Sequence, residues 1–308
     1  MTQIDPHLRY HQASQRPAAI PAKRRPHMVA PAVRRPFRWS LIVVPFAMLV
    51  LLVCFAVGVA HFAIAGTKHT HKATPVSAIS SPTLTQAVNA ILQQNSSIKI
   101  GIALDDITLG QSRTFGSTDQ FVAASTAKLV TASAYYHLVE TGQASLSTPL
   151  GAYTAQFQIK EMINQSSNDS WDLLVGAIGD NVLQSYASSI GVTYGVDGNL
   201  LSPASLATLL SKLYAGKLLN QTDTAQLLSY MQNTNDDTLI PAAVSPDITV
   251  YHKYGLLDGN LHDAAILTKG DKAYVLVIYT KNTDDSDDAQ RTTLIHQLTQ
   301  AIVPKLFS

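Results

Sequence analysis

Cysteine is almost missing from this chain: its 308 residues include one, Cys54. An internal disulfide and a cysteine metal site are both excluded. Glutamate is scarce too. Only Glu140 and Glu161 occur, and no glutamate lies between Asn168 and Lys253. A third absence is local: residues 40–65 contain no Asp, Glu, Lys or Arg. Charge elsewhere is uneven. Residues 1–39 carry eight Lys/Arg and six prolines against a single acid, Asp5, whereas residues 66–308 carry fourteen Lys/Arg against twenty acids. The net charge of +1 therefore conceals a basic tail of +7 and an acidic remainder of −6. An acidic globular part argues against nucleic-acid binding.

The uncharged stretch is long enough to cross a bilayer, since about 20 apolar residues span the hydrocarbon core. Arg34, Arg35 and Arg38 stand directly before it, and the positive-inside rule then places the N-terminus in the cytoplasm and the large domain outside. The expectation is a single-pass cell-membrane protein: a disordered basic cytoplasmic tail (1–39), a transmembrane helix (40–65), a polar linker (66–82) and an extracytoplasmic domain (83–308). An alternative is a cleaved export signal, because Ala63-Ile64-Ala65 resembles a small-residue cleavage site. His69 and His71 lie in the polar linker and are read as solvated, so neither a metal nor a cofactor is expected.

The remaining residues are ample for one large core. Patterning predicts a helix near Leu84 to Gln93, strands over Lys99 to Asp105 and Ser112 to Phe115, and a helical middle to about Leu228. Pro203 to Tyr214, with Gly216 just past it, is the clearest helix of that middle. Three strands follow, Ile248 to Leu256, His262 to Thr268 and Ala273 to Thr280, then a closing helix from Asp287 to Leu306. Two strands early and three late, with helices between, predict an α+β fold. Its suggested form is one antiparallel five-stranded sheet flanked by N- and C-terminal helices and packed on a helical subdomain, after one transmembrane helix; spacing alone gives only α+β, and the fuller arrangement is what the family resemblance given below implies.

Ser125-Thr126-Ala127-Lys128 sits where a strand gives way to a helix. Apolar residues follow at helical spacing (Leu129, Ala132, Tyr136, Val139), and Gly142 closes the run. That spacing puts Ser125 in the first helical turn with Lys128 one turn on, on the same face. A lysine kept neutral by burial or by a second cation could take the hydroxyl proton and make Ser125 a nucleophile. Two more clusters follow in order: Ser166-Ser167-Asn168 between helical segments, and Lys253-Tyr254-Gly255 on a strand. Singly each is weak; Ser96-Ser97-Ile98-Lys99 and Lys99-Ile100-Gly101 repeat two of the spacings by chance.

As a set, Ser-x-x-Lys, Ser-x-Asn and Lys-x-Gly resemble the penicillin-recognising serine hydrolases, and the text around them resembles the class A β-lactamase family over roughly residues 84–308. The resemblance implies an acyl-enzyme on Ser125 with Lys128 as base partner and Ser166 relaying a proton to the leaving nitrogen. It also implies substrate binding by Asn168, Lys253, Tyr254 and Gly255, with Lys253 setting a positive field near Ser166 and the substrate carboxylate. The backbone N–H groups of Ser125 and Leu256 would form the oxyanion hole. The implied substrates are β-lactams or peptidoglycan peptides. Three departures stand out. Ser167 replaces an aspartate, Tyr254 replaces a small hydroxyl residue, and the loop glutamate that serves deacylation is missing. Asp197 is the sole acid near the short stretch Gly191 to Ser202, and it reads as a turn residue or as the deacylation base. A penicillin-binding D,D-peptidase and a non-catalytic wall-binding or sensor domain are the alternatives.

Overall fold

A computed structural model describes residues 77–282 and 288–308. The expected basic tail, membrane helix and most of the linker lie outside the described residues. Among the described residues no helix is long and apolar enough to cross a membrane. The end of the expected linker belongs to the fold: Ala78–Ser80 forms a 3-10 turn that buries Ile79, and Ser77 hydrogen-bonds Asp106.

Helix α1 (Pro82–Gln94) starts with proline at its first turn, where the missing N–H costs nothing. Strands β1 (Lys99–Asp106) and β2 (Gln111–Gly116) follow. After the two-residue strand β3 (Phe121–Val122), a 3-10 turn (Ala124–Ala127) leads into α2 (Lys128–Glu140). Gly142, with φ +73°, takes the left-handed position after that helix. The middle of the chain holds the small hairpin β4 (Pro149–Leu150) and β5 (Tyr153–Thr154). Helices α3 (Ala155–Asn164), α4 (Asn168–Ile178) and α5 (Asp180–Ser189) come next. Strands β6 (Tyr194–Gly195) and β7 (Leu200–Leu201) precede α6 (Pro203–Tyr214) and α7 (Gln221–Tyr230). The chain ends with β8 (Thr249–Leu257), β9 (Asn260–Lys269), β10 (Lys272–Lys281) and α8 (Asp288–Leu306).

The five long strands form one antiparallel sheet in the order β2-β1-β10-β9-β8. The expected α+β architecture with a five-stranded sheet is present, and strand bounds differ from expectation by one or two residues. Two small sheets were not foreseen, β3-β7-β6 and β4-β5, because two-residue strands leave no period to read. Strands β9 and β10 are apolar on both faces and are covered on both. One face packs on a core built with α2, α3, α5 and α6. The other packs on α1 and α8, through Leu84, Val88, Leu294, Leu298 and Ile302. Each such fully buried aliphatic side chain contributes about 1.5–3 kcal/mol relative to exposure. This sandwich leaves β8 at the sheet edge, beside the 3-10 turn.

Candidate active site

The 3-10 turn that carries Ser125 is held from three sides. Ala124 sits in the left-handed region at φ +49°, a costly conformation for alanine. Neighbours stabilise it: Asn199 Nδ2 donates to the Ala124 carbonyl at 3.1 Å, and the Ala123 N–H donates to the Asn199 carbonyl at 2.7 Å. Below the turn, the Thr126 hydroxyl donates to the Ala123 carbonyl at 2.7 Å and pairs with the Tyr279 hydroxyl. His262 stacks on Tyr279 with ring centroids 3.9 Å apart. Its Nδ1 accepts from the Thr280 N–H and its Nε2 faces the Val122 carbonyl, so Nε2 carries the proton. Burial pushes the His262 pKa down to about 4, which keeps this support neutral. Gly255 lies against the turn: a Cβ there would stand 3.0 Å from both the Ala123 carbonyl oxygen and the Ser125 nitrogen. Ser125 therefore precedes α2 in a 3-10 turn rather than occupying an α-helical turn.

Lys128 opens α2 and is fully buried. Its Nζ is 3.0 Å from Ser125 Oγ, 2.6 Å from the Ser166 carbonyl, 3.4 Å from Ser166 Oγ and 2.7 Å from Asn168 Oδ1. Burial lowers its pKa to about 8, with the Asp172 charge opposing. Ser166 adopts φ +56°, which turns the chain between α3 and α4 and presents its carbonyl and hydroxyl to the lysine. Ser167 caps α4, its Oγ accepting from the Ser170 N–H at 3.1 Å. Three of the expected residues, Ser125, Ser166 and Asn168, thus gather on the amine of a fourth. Asn168, implied to hold substrate, turns its oxygen to Lys128.

Across from them, Lys253 on β8 is also fully buried. Its Nζ donates to the Tyr254 carbonyl at 3.1 Å and lies 4.0 Å from the Tyr254 ring centroid. Burial first, and the Lys128 charge second, lower its pKa to about 7. Leu256, the second expected oxyanion donor, lies near the end of β8 with its side chain half exposed. Asp197 is exposed in the turn between β6 and β7; it is Asn199, two residues on, that reaches the Ser125 turn.

Behind Lys253 is a network that sequence reading missed. His252 Nδ1 is 2.9 Å from Asp263, and its Nε2 is 3.0 Å from Asp237. Burial opposes charge on His252, but Asp263 and Asp237 outweigh it and raise its pKa to about 8. Asp263 also accepts from the N–H groups of Ile240 and Ala264. The pairing His252-to-Asp237 spans a loop and a strand, so no local spacing signals it. Asn164 ties the same loop to α3, its Nδ2 donating to the carbonyls of Tyr230, Gln232 and Asn233. A cavity of about 230 Å³ lies elsewhere, between β1, β2 and α6, and contains none of these residues. Among the described residues no group of three His, Cys, Asp or Glu is placed to hold a metal.

A buried lysine beside a serine, next to an edge strand of an antiparallel sheet walled by helices, defines the fold of the penicillin-recognising serine hydrolases. The profile of the Beta-lactamase enzyme family matches residues 83–306, and the chain belongs to that class A β-lactamase-like family. Among solved structures, PBP-A is similar at 24% identity and a TM-score of 0.65, over 72% of this chain and 96% of that one. An acyl-enzyme complex of a PBP-A variant with penicillin G is similar at 23% identity and 0.65, over 72% and 95%. A β-lactamase from Xanthomonas campestris pv. campestris is similar at 21% and 0.67, over 73% and 97%. No curated protein matches the chain in sequence.

Proposed function

We propose that the chain is a serine acyl-transfer hydrolase of β-lactam and related amide substrates, anchored by residues 40–65 with its catalytic domain outside the cytoplasm. The observation that carries the chemistry is the setting of Lys128. A neutral lysine amine has two N–H donors and one lone pair. The two shortest contacts, to the Ser166 carbonyl and Asn168 Oδ1, take the two donors, which leaves the lone pair for the Ser125 hydroxyl at 3.0 Å. A pKa near 8 keeps a usable fraction neutral at physiological pH. The Ser125 Oγ–acyl carbon bond forms as the amide C–N bond breaks. The hydroxyl proton passes to Lys128 and, through Ser166, to the leaving nitrogen. The backbone N–H groups of Ser125 and Leu256 receive the developing oxyanion. Asn168, Lys253, Tyr254 and Gly255 border the substrate.

Deacylation is the weak half. It needs a base to activate water, a contribution of about 10²–10⁴-fold. No glutamate lies between Asn168 and Lys253, and Asp197 is exposed in its turn. The acyl-enzyme therefore accumulates, as in a penicillin-binding D,D-peptidase acting on peptidoglycan peptides. The PBP-A neighbour, whose variant is an acyl-enzyme with penicillin G, favours that natural role. Intact-mass measurement after penicillin addition tests the reading. A stoichiometric adduct on the Ser125 peptide, absent in Ser125→Ala and lost slowly, is expected. An adduct elsewhere, or steady hydrolysis at about tens per second with no burst, overturns it. If Asp197 is the base, Asp197→Asn lengthens the adduct's lifetime and leaves the burst intact. The uncharged span with Arg34, Arg35 and Arg38 before it supports the anchor; protease added to intact cells should remove the domain.

A further inference from the structure

The strand side of the site carries a feature that the proposed acyl transfer does not use. Lys253 and Tyr254 are adjacent on an edge strand, so their side chains start on opposite faces of the sheet. The Lys253 amine nevertheless stands 4.0 Å from the Tyr254 ring centroid, bonded at the same time to the Tyr254 carbonyl at 3.1 Å. The Tyr254 hydroxyl is held there by Asn235, whose Nδ2 donates to Tyr254 Oη at 3.2 Å and to the Gln165 carbonyl at 3.1 Å. The Asn235 N–H donates to the Asn164 carbonyl at 3.0 Å. Asn235 thus fastens Tyr254 to the turn that carries Ser166, and the contact joins the sheet to the helical subdomain over the lysine. The amine beneath is fully buried and bonded to its own chain's carbonyl.

Building on the acyl-transfer reading above, we propose that Tyr254, latched by Asn235, covers Lys253 and makes the site select acyl donors that are uncharged where a β-lactam carries its carboxylate. A carboxylate is recognised by charge-assisted hydrogen bonds from a cation it can touch. With the ring over the amine, Lys253 has no open side to offer. Burial, which lowers the amine's pKa to about 7, weakens the field further. A carboxylate brought here loses its water and gains no partner, which is unfavourable. An ester or a primary amide loses far less. A threonine at this position has no ring to place over the amine, so Tyr254 is the specificity-determining residue.

The test compares penicillin G with its methyl ester as acylating agents of Ser125, read by intact mass, in wild type, Tyr254→Phe and Tyr254→Thr. Wild type is expected to be acylated faster by the methyl ester than by the free acid. Tyr254→Thr is expected to favour the acid by about tenfold or more, the worth of a charge-assisted hydrogen bond. Tyr254→Phe keeps the ring and loses the latch, so it falls between. A wild type that favours the acid overturns the proposal and leaves the acyl-transfer reading standing. A second measurement needs no acylation: reductive methylation with formaldehyde and borane, mapped by peptide mass, with exposed Lys160 as reference. Lys253 should be protected in wild type, and its modification should rise by about tenfold or more in Tyr254→Thr. Equal modification in both proteins shows that the ring covers nothing. If no β-lactam acylates Ser125, the acyl-transfer reading fails and the methylation result alone decides the cover.

Discussion

The two walls of the site use the same residue type in opposite ways. On the helical wall, Lys128 is buried yet faces two serine hydroxyls and an amide oxygen within 3.4 Å. On the strand wall, Lys253 is as deeply buried, but it faces its own neighbour's carbonyl and ring. Burial lowers both pKa values, so desolvation alone does not make a lysine a base. What differs is what stands at the amine. One wall gathers groups that could exchange a proton; the other closes over its charge.

The contrast is sharpest in a pair of substitutions. Lys128→Met should lower the acylation rate by about 10²–10⁴-fold, whereas Lys253→Met should lower it by about tenfold or less. Equal losses break the comparison. In wild type the acylation rate should rise with pH and level off above about 8, as Lys128 sheds its proton. The next effect is on stability. His252 holds the loop beside the strand wall, and its folded pKa of about 8 lies above the ordinary 6.5. The stabilisation it contributes is complete below pH 6.5 and is lost as pH rises through about 8. His252→Asn should therefore cost on the order of 2 kcal/mol at pH 6 and much less at pH 9, measured by urea unfolding at both. A penalty independent of pH removes the charge from the explanation. Gly255→Ala tests the seam between the walls. The added carbon meets two backbone atoms at 3.0 Å, so the Ser125 turn has to shift. Acylation should fall by about tenfold with little change in unfolding midpoint. Smallest is Asn199→Ala, which removes one hydrogen bond from the left-handed Ala124 and should cost about 1 kcal/mol in thermal unfolding.

The same division runs through what could be read from the residues. Local signals gave α6 its true bounds: Pro203 opens it and Gly216 follows it. The turn Lys269 to Lys272 between β9 and β10 is equally local, with Gly270 taking φ +61°. Ser125 and Lys128 are three residues apart, so their meeting was legible, and the ordered motifs brought in Ser166 and Asn168. The left-handed turn at Ala124 was hidden because its cause is Asn199, seventy-five residues away. The loop that carries Asn235 and Asp237 has no period and no cap of its own; its place is set by Asn164, His252 and Tyr254. Tyr254 stands out in the sequence as the replacement of a small hydroxyl residue, but its place against Lys253 depends on Asn235, and no spacing within the strand encodes that.

Strand order also carries a consequence for how the chain is made. Lys99 at the start of β1 pairs with Lys281 at the end of β10, and β1 touches no other strand except β2. In a growing polypeptide the β1–β2 hairpin, marginal by itself in water, has one flank without its partner while the helical middle is being synthesised. Only when the final strands emerge can the hairpin find its partner, so a truncated product ending before β10 offers that flank to any other extended segment nearby. Completion of the support beneath Ser125 waits for the same moment, because Tyr279 and His262 arrive with β10 and β9. A ribosome that stalls near the end of this message leaves a chain with its serine and lysine already made, no finished floor beneath them, and an open edge that invites aggregation.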